Sequence, residues 1–207
     1  MKDRKRIIRW TFLLAFAFSG MASLIYEVSW VRALQSVFGS TIYAVSTILT
    51  TFMVGFTVGS FFFRHLAENS KNPAKIFSLI ELCIGVYGIV ILLIFKILPK
   101  FYILLTGVPF SKILQFFLCF LVVIIPATLF GATWPMINKA YARIEKLGMD
   151  VGKLYSANSI GCVFGSLGAG FFLMPLLGIR LTSTFAAIIN IIAAILVFII
   201  CRRRNET

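Results

Sequence analysis

Residues 75–98 read KIFSLIELCIGVYGIVILLIFKIL. Between Lys75 and Lys96 this stretch carries one charge, Glu81, and none of the polar faces that a helix in a soluble core would show. It is long enough to supply the ~20 apolar residues that cross a hydrocarbon core. Five further blocks of the same kind occupy about residues 7–34, 41–63, 113–137, 154–177 and 181–201. The 207 residues are 60% hydrophobic and only 13% charged, where a soluble domain carries roughly 25% charged residues. No polar stretch is long enough for a separate soluble domain. Residues 1–207 therefore read as one all-α domain, a polytopic membrane protein of six transmembrane helices.

Basic residues set the orientation. Fifteen of the 20 Lys and Arg lie on one side: the N-terminal run, the Arg64–Lys75 loop, the Lys139–Lys153 loop and Arg202–Arg204. The remaining five, Arg32, Lys96, Lys100, Lys112 and Arg180, lie on the other. The positive-inside rule then puts both termini in the cytoplasm, in a multi-pass protein of the cytoplasmic membrane. The net charge of +13 is read the same way, with contacts to anionic membrane lipids and no nucleic-acid partner, because no nucleic-acid module surrounds the basic residues. Ala15-Phe16-Ala17 resembles a signal-peptide cleavage site, but the apolar run continues past it, as expected of a retained helix.

Small residues mark the packing faces. Gly55 and Gly59 make a GxxxG on the second helix, and Gly161, Gly165 and Ala169 recur every four residues on the fifth. Such spacing lets backbones approach closely, in a static seam or a sliding one. A shift of 112 residues lays Phe18 on Phe130, Ile25 on Ile137, Tyr43 on Tyr155 and Ile48 on Ile160, the trace of a 3+3 inverted repeat. Pro126 and Pro135 fall in the fourth helix, where each frees a backbone carbonyl.

Two carboxylates lie inside apolar blocks. Glu27 shares a helix face with Gly20, Ser23, Trp30 and Leu34; Glu81 shares one with Ser78, Gly85 and Gly88. An ionisable group within the membrane faces a partner or a hydrated cavity. Two readings follow: binding of a cation or relay of protons, with Tyr26, Trp30, Tyr43 and Trp134 as aromatic walls, or ion pairs. The pairs would be Glu27 with Arg32 or Arg180, and Glu81 with Arg64, Lys139 or Arg143. The candidate substrate contacts are Glu27, Tyr26, Trp30, Glu81, Tyr43 and Asn158, with Asn158 and Asn190 also suited to interhelical hydrogen bonds.

Other chemistries lack their residues. Cys83, Cys119, Cys162 and Cys201 sit in different blocks without a CxxC, and His65 is the one histidine, so no metal or cofactor is expected. P-loop, GxSxG, HExxH and GxGxxG motifs are missing.

Residues 18–32, FSGMASLIYEVSWVR, with 38–40 (FGS) and 43–47 (YAVST), resemble the membrane half of the fused major-facilitator/spermidine-synthase family. Residues 126–135 (PATLFGATWP), 152–161 (GKLYSANSIG) and 173–178 (LMPLLG) carry the same resemblance. Residues 59–68 follow the major-facilitator loop signature only in outline, without its Asp and second Gly-Arg cluster. The resemblance implies a half-size, major-facilitator-like bundle, with Tyr26, Glu27, Trp30 and Arg32 at family positions. In that family the membrane unit precedes a Rossmann-like aminopropyltransferase domain. Residues 1–207 hold no such domain, so no enzymatic activity is expected of them. The function implied is transport of polyamines or another organic cation; the alternative is a membrane anchor or regulatory subunit for a separately encoded aminopropyltransferase. One six-helix unit supplies one wall of a two-walled path, so a homodimer is expected.

The charge asymmetry makes a direct prediction. A cytoplasm-active reporter fused at Thr207 and a periplasm-active reporter at Gly107 are both expected to give signal; a silent reporter at Thr207 would refute the orientation.

Overall fold

The computed structural model describes residues 2–105, 111–142 and 147–205. All of them are helical except Gly39, Ser40 and residues 70–72. The elements are α1 (Lys2–Phe38), α2 (Thr41–Asn69), α3 (Pro73–Leu105), α4 (Ser111–Ala142), α5 (Leu147–Leu167), a π-helical segment Gly168–Leu173 and α6 (Met174–Asn205). Each helix extends past its apolar block, because hydropathy marks only the part in hydrocarbon while the hydrogen-bond ladder continues into the polar boundary.

The turns have local causes. Gly39 adopts φ +65 after the last turn of α1, and its N–H bonds the Gln35 carbonyl at 3.0 Å, a left-handed helix end suited to glycine. Pro73 opens α3 at the first helical position, where its missing N–H has no intrahelical partner to lose.

Five helical stretches among the described residues are long and apolar enough to cross a membrane: Arg6–Ser36, Thr41–Asn69, Pro73–Leu98, Ser111–Ala142 and Val151–Arg202. The sequence reading divides the last of these into two helices; the structure gives one 52-residue helical stretch containing a break. The break is at Gly178, with φ 74 and ψ 174. A straight helix of that length would measure ~78 Å, more than twice the ~30 Å of a hydrocarbon core.

Glycines bring the helices together in pairs. A Cβ at Gly55 or Gly59 of α2 would collide with Ala127 and Thr128 of α4. On α5, Gly161 lies against the Ala17 carbonyl and Gly165 against the Met21 carbonyl of α1. On α3, Gly85 faces Ala187 and Ile191 of α6, and Gly88 lies under the Tyr26 ring of α1. The GxxxG spacing read from sequence thus marks helix–helix seams within one chain. Apolar side chains such as Ile42, Phe62, Phe171 and Leu176 point outward, as on helices surrounded by lipid.

Both prolines lie inside α4 without ending it. Each removes an N–H that would have bonded the carbonyl four residues earlier. For Pro126 that carbonyl belongs to Val122, and the Tyr87 hydroxyl of α3 donates to it at 2.8 Å. For Pro135 it belongs to Gly131, and the Ser60 hydroxyl of α2 donates to it at 3.0 Å. The freed carbonyls join α4 to its neighbours.

Tyr87→Phe strands the Val122 carbonyl, so it is expected to lower stability by about 1–3 kcal/mol. Pro126→Ala in the Tyr87→Phe background restores an N–H at the right position and should recover most of that loss. Reversible unfolding in detergent would measure both; an unchanged stability in Tyr87→Phe would show that Tyr87 acts by packing alone.

Candidate functional site

α1 runs through the middle of the bundle and presents different residues to different neighbours. Toward α3 it turns Phe16 and Tyr26; toward α5 it turns Ala17, Gly20 and Met21. Consecutive residues lie ~100° apart on a helix, so Tyr26 and Glu27 face separate seams.

In the first seam the Glu81 carboxylate is fully buried. Neither of its oxygens has a hydrogen-bond partner of good geometry, although Ser19 of α1 lies close enough to interact and Tyr26 is within electrostatic reach. The Tyr26 and Ser78 hydroxyls and both polar atoms of the Asn190 amide are likewise buried without partners. Asn190 lies beside Gly85, one turn along α3 from Glu81. Three helices thus bring a carboxylate, two hydroxyls and an amide into one interior region.

Aromatic rings enclose this region. Tyr26 packs on Trp30 with centroids 4.8 Å apart, and Trp30 packs on Phe52 and Phe95 at 5.9 and 6.3 Å. The Trp30 Nε1–H donates to the Ser183 hydroxyl of α6 at 3.3 Å. At the basic end, Phe16 packs edge-on against Phe77 and Trp134, at 6.4 and 4.9 Å. A desolvated carboxylate between aromatic layers is chemically suited to an ammonium group, through charge and ring quadrupole together.

The second seam lies between α1 and α5. Glu27 is half-buried there, with the Cys162 thiol in electrostatic reach. The Cys162 thiol donates to the Gly20 carbonyl at 3.4 Å, and Asn158 Nδ2 donates to the Cys162 sulfur at 3.7 Å.

Of the six residues singled out from sequence, the structure gathers Tyr26, Trp30 and Glu81 in the first seam, and Glu27 and Asn158 in the second. Tyr43 is 49% exposed at the rim, stacked on Phe38 with the Lys112 ammonium 5.7 Å from its ring. Contacts place three of the proposed cation partners. Arg32 donates to Gln35 Oε1 at 2.8 Å. Arg64 and Lys139 line a cleft of about 290 Å³ with Glu68, Asn138 and Val151. Arg143 lies outside the described residues.

Ser19 and Ser183 are additions that sequence reading did not single out. Their signal is faint: a serine seven residues before Tyr26, and one beside the threonines of residues 182–184, each ordinary in a membrane helix.

The fold is that of an all-helical, multi-pass membrane-type protein whose interior holds an unpaired carboxylate among aromatic rings. The chain is similar to a polyamine aminopropyltransferase of Corynebacterium efficiens, at 24% identity over 204 residues. The match covers 94% of this chain and 36% of that relative, so the chain spans about a third of the relative's length. No protein-family model and no solved structure matches the chain.

Ser183→Ala removes the acceptor of the Trp30 indole and is expected to cost about 0.5–1.5 kcal/mol, or more because the N–H is buried. Loss of the red-shifted, immobilised component of Trp30 emission, in a variant with Trp10 and Trp134 replaced by Phe, would report it. An unchanged spectrum and midpoint would show that the bond contributes nothing.

Proposed function

We propose that this chain is a transporter-like membrane protein that binds a polyamine or another organic cation at Glu81, within a six-pass bundle. The observation that carries the reading is the Glu81 carboxylate, fully buried and unpaired between α1, α3 and α6. Among the described residues no cation meets it, so a bound ligand cation is the natural complement. Tyr26, Trp30 and Phe77 supply ring surfaces, and Ser19, Ser78 and Asn190 supply polar atoms for additional ammonium hydrogens. The relative's name, a polyamine aminopropyltransferase, favours a linear polyamine over other organic cations.

The direction of the arms on either side of Gly178 supports a six-pass reading. On the first arm, Gly161 and Gly165 lie beside Ala17 and Met21, so it runs the same way as α1. On the second, Ser183 meets Trp30, while Ala194 and Phe198 share a groove with Lys75 and Ser78. That arm runs back, and each arm can supply the ~20 residues a crossing needs. With the basic asymmetry, both ends are cytoplasmic. In this reading a second copy of the chain supplies the facing wall of the path.

A second reading has its own support. The alignment covers about a third of an aminopropyltransferase, which favours a membrane subunit that docks a separately encoded enzyme of that kind and itself performs no reaction.

The two readings separate in proteoliposomes. Saturable uptake of labelled spermidine is expected from the wild type, reduced at least tenfold by Glu81→Gln at equal folded yield. Absence of uptake and of spermidine binding in well-folded protein would overturn the transporter reading, and co-purification with a soluble aminopropyltransferase would then establish the anchor.

A further inference from the structure

A groove of about 440 Å³ runs between α3 and α6 at the basic end of the bundle, lined by Lys75, Leu79, Leu82, Ala194, Ile195 and Phe198. Its walls are apolar apart from Lys75 and the buried Ser78 hydroxyl, and no carboxylate lines it. Leu79, Ile195 and Phe198 are each more than half exposed, at 59%, 51% and 52%. The groove is therefore open laterally, on a face that the surrounding residues mark as lipid-facing, and it is not a closed interior void.

Charge is arranged at one end only. Lys75 stands in the first turn of α3, where the positive end of the helix dipole reinforces its ammonium. Arg202 follows Phe198 by one turn of α6, on the same helix face. Beyond Lys75 the groove offers methyl and phenyl surface along about two turns of α3 and one turn of α6. An anion with a long apolar tail matches this layout. A cation would meet Lys75 unfavourably, and a peptide would find no backbone partners along the walls.

We infer that the α3/α6 groove binds one anionic phospholipid, with its phosphate against Lys75 and an acyl chain against Leu79, Leu82, Ile195 and Phe198. The juxtamembrane charges give selectivity for anionic headgroups, and the trough holds the chain by contact in place of the side chains that would otherwise fill it. The seated chain lies along the face of α3 that carries Ser78, one turn from Glu81. The inference does not depend on transport.

The test is native mass spectrometry of the detergent-purified chain exposed to phosphatidylglycerol and phosphatidylcholine of identical acyl chains. One phosphatidylglycerol should be retained in preference to phosphatidylcholine. Lys75→Gln is expected to reduce that preference about fivefold, the equivalent of ~1 kcal/mol per basic residue near the membrane surface. Leu79→Trp fills the trough without changing charge and should reduce retention of both lipids, while Lys96→Gln, at the far end of α3, should change neither. Equal retention of the two lipids by the wild type would overturn the inference. So would phosphatidylglycerol retention unaltered in both Lys75→Gln and Leu79→Trp, or its displacement by inorganic phosphate alone, which would show that the acyl chain plays no part.

Discussion

A helix in hydrocarbon has no water to accept what its own ladder leaves over, so every backbone carbonyl must find a donor in the protein. α4 breaks this condition twice, at Pro126 and Pro135, and the rest of the bundle is arranged around the repair. Tyr87 reaches across from α3 and Ser60 from α2, and each supplies the hydroxyl that the prolines removed as N–H. Those bonds fix the height of α3 and α2 against α4. They require close approach, which Gly55, Gly59 and Gly131 provide on the α2/α4 side. Small residues and prolines in this chain are therefore two parts of one device: the glycines bring a neighbour near, and the prolines give it something to bond.

The same accounting makes the Glu81 region stand out. Helices α1 and α2 satisfy interior hydroxyls locally, by bonding the carbonyl three or four residues back, as Ser23, Ser29, Thr47 and Thr51 do. Glu81, Tyr26, Ser78 and Asn190 do not, although all are buried. Buried polar groups are rarely left without partners, and these four sit on three helices that share one interior region. That convergence is the physical reason to read the region as a binding site.

Much of the fold was legible because hydropathy and glycine spacing report directly on lipid contact and backbone approach. The apolar blocks marked the helices, and Gly161 and Gly165 marked the seam with α1. The path of the last 52 residues was less legible as a helix count, since the helix continues through a π-helical segment to Gly178 and no polar loop interrupts it. Within the site, Glu81, Tyr26 and Trp30 were visible as a charge and rings in apolar surroundings. What sequence could not separate was the two sides of α1. Glu27 and Tyr26 are neighbours in the chain, and only the positions of α3 and α5 decide that Tyr26 meets Gly88 while Glu27 looks toward Cys162. Tyr43 read as a wall because it is aromatic, yet its place near the start of α2 puts it at the rim beside Lys112.

The division of α1 between two seams also constrains how the bundle can move. The α1/α5 contact is made by glycine against backbone carbonyl at Gly161 and Gly165, with the Asn158 and Cys162 side chains set against Gly20. The α1/α3 contact is made by large rings, Phe16 on Phe77 and Tyr26 over Gly88, and close-packed rings resist sliding. Smooth backbone seams permit a helix to shift along its neighbour, whereas an aromatic layer ties two helices together. The Glu81 region lies among α1, α3 and α6, with the Trp30–Ser183 bond at one end, while Glu27 lies on the α1/α5 seam. The two carboxylates, alike in sequence as single acids within apolar blocks, thus differ in surroundings: Glu81 is fully buried among rings, and Glu27 is half-buried against a glycine-lined helix.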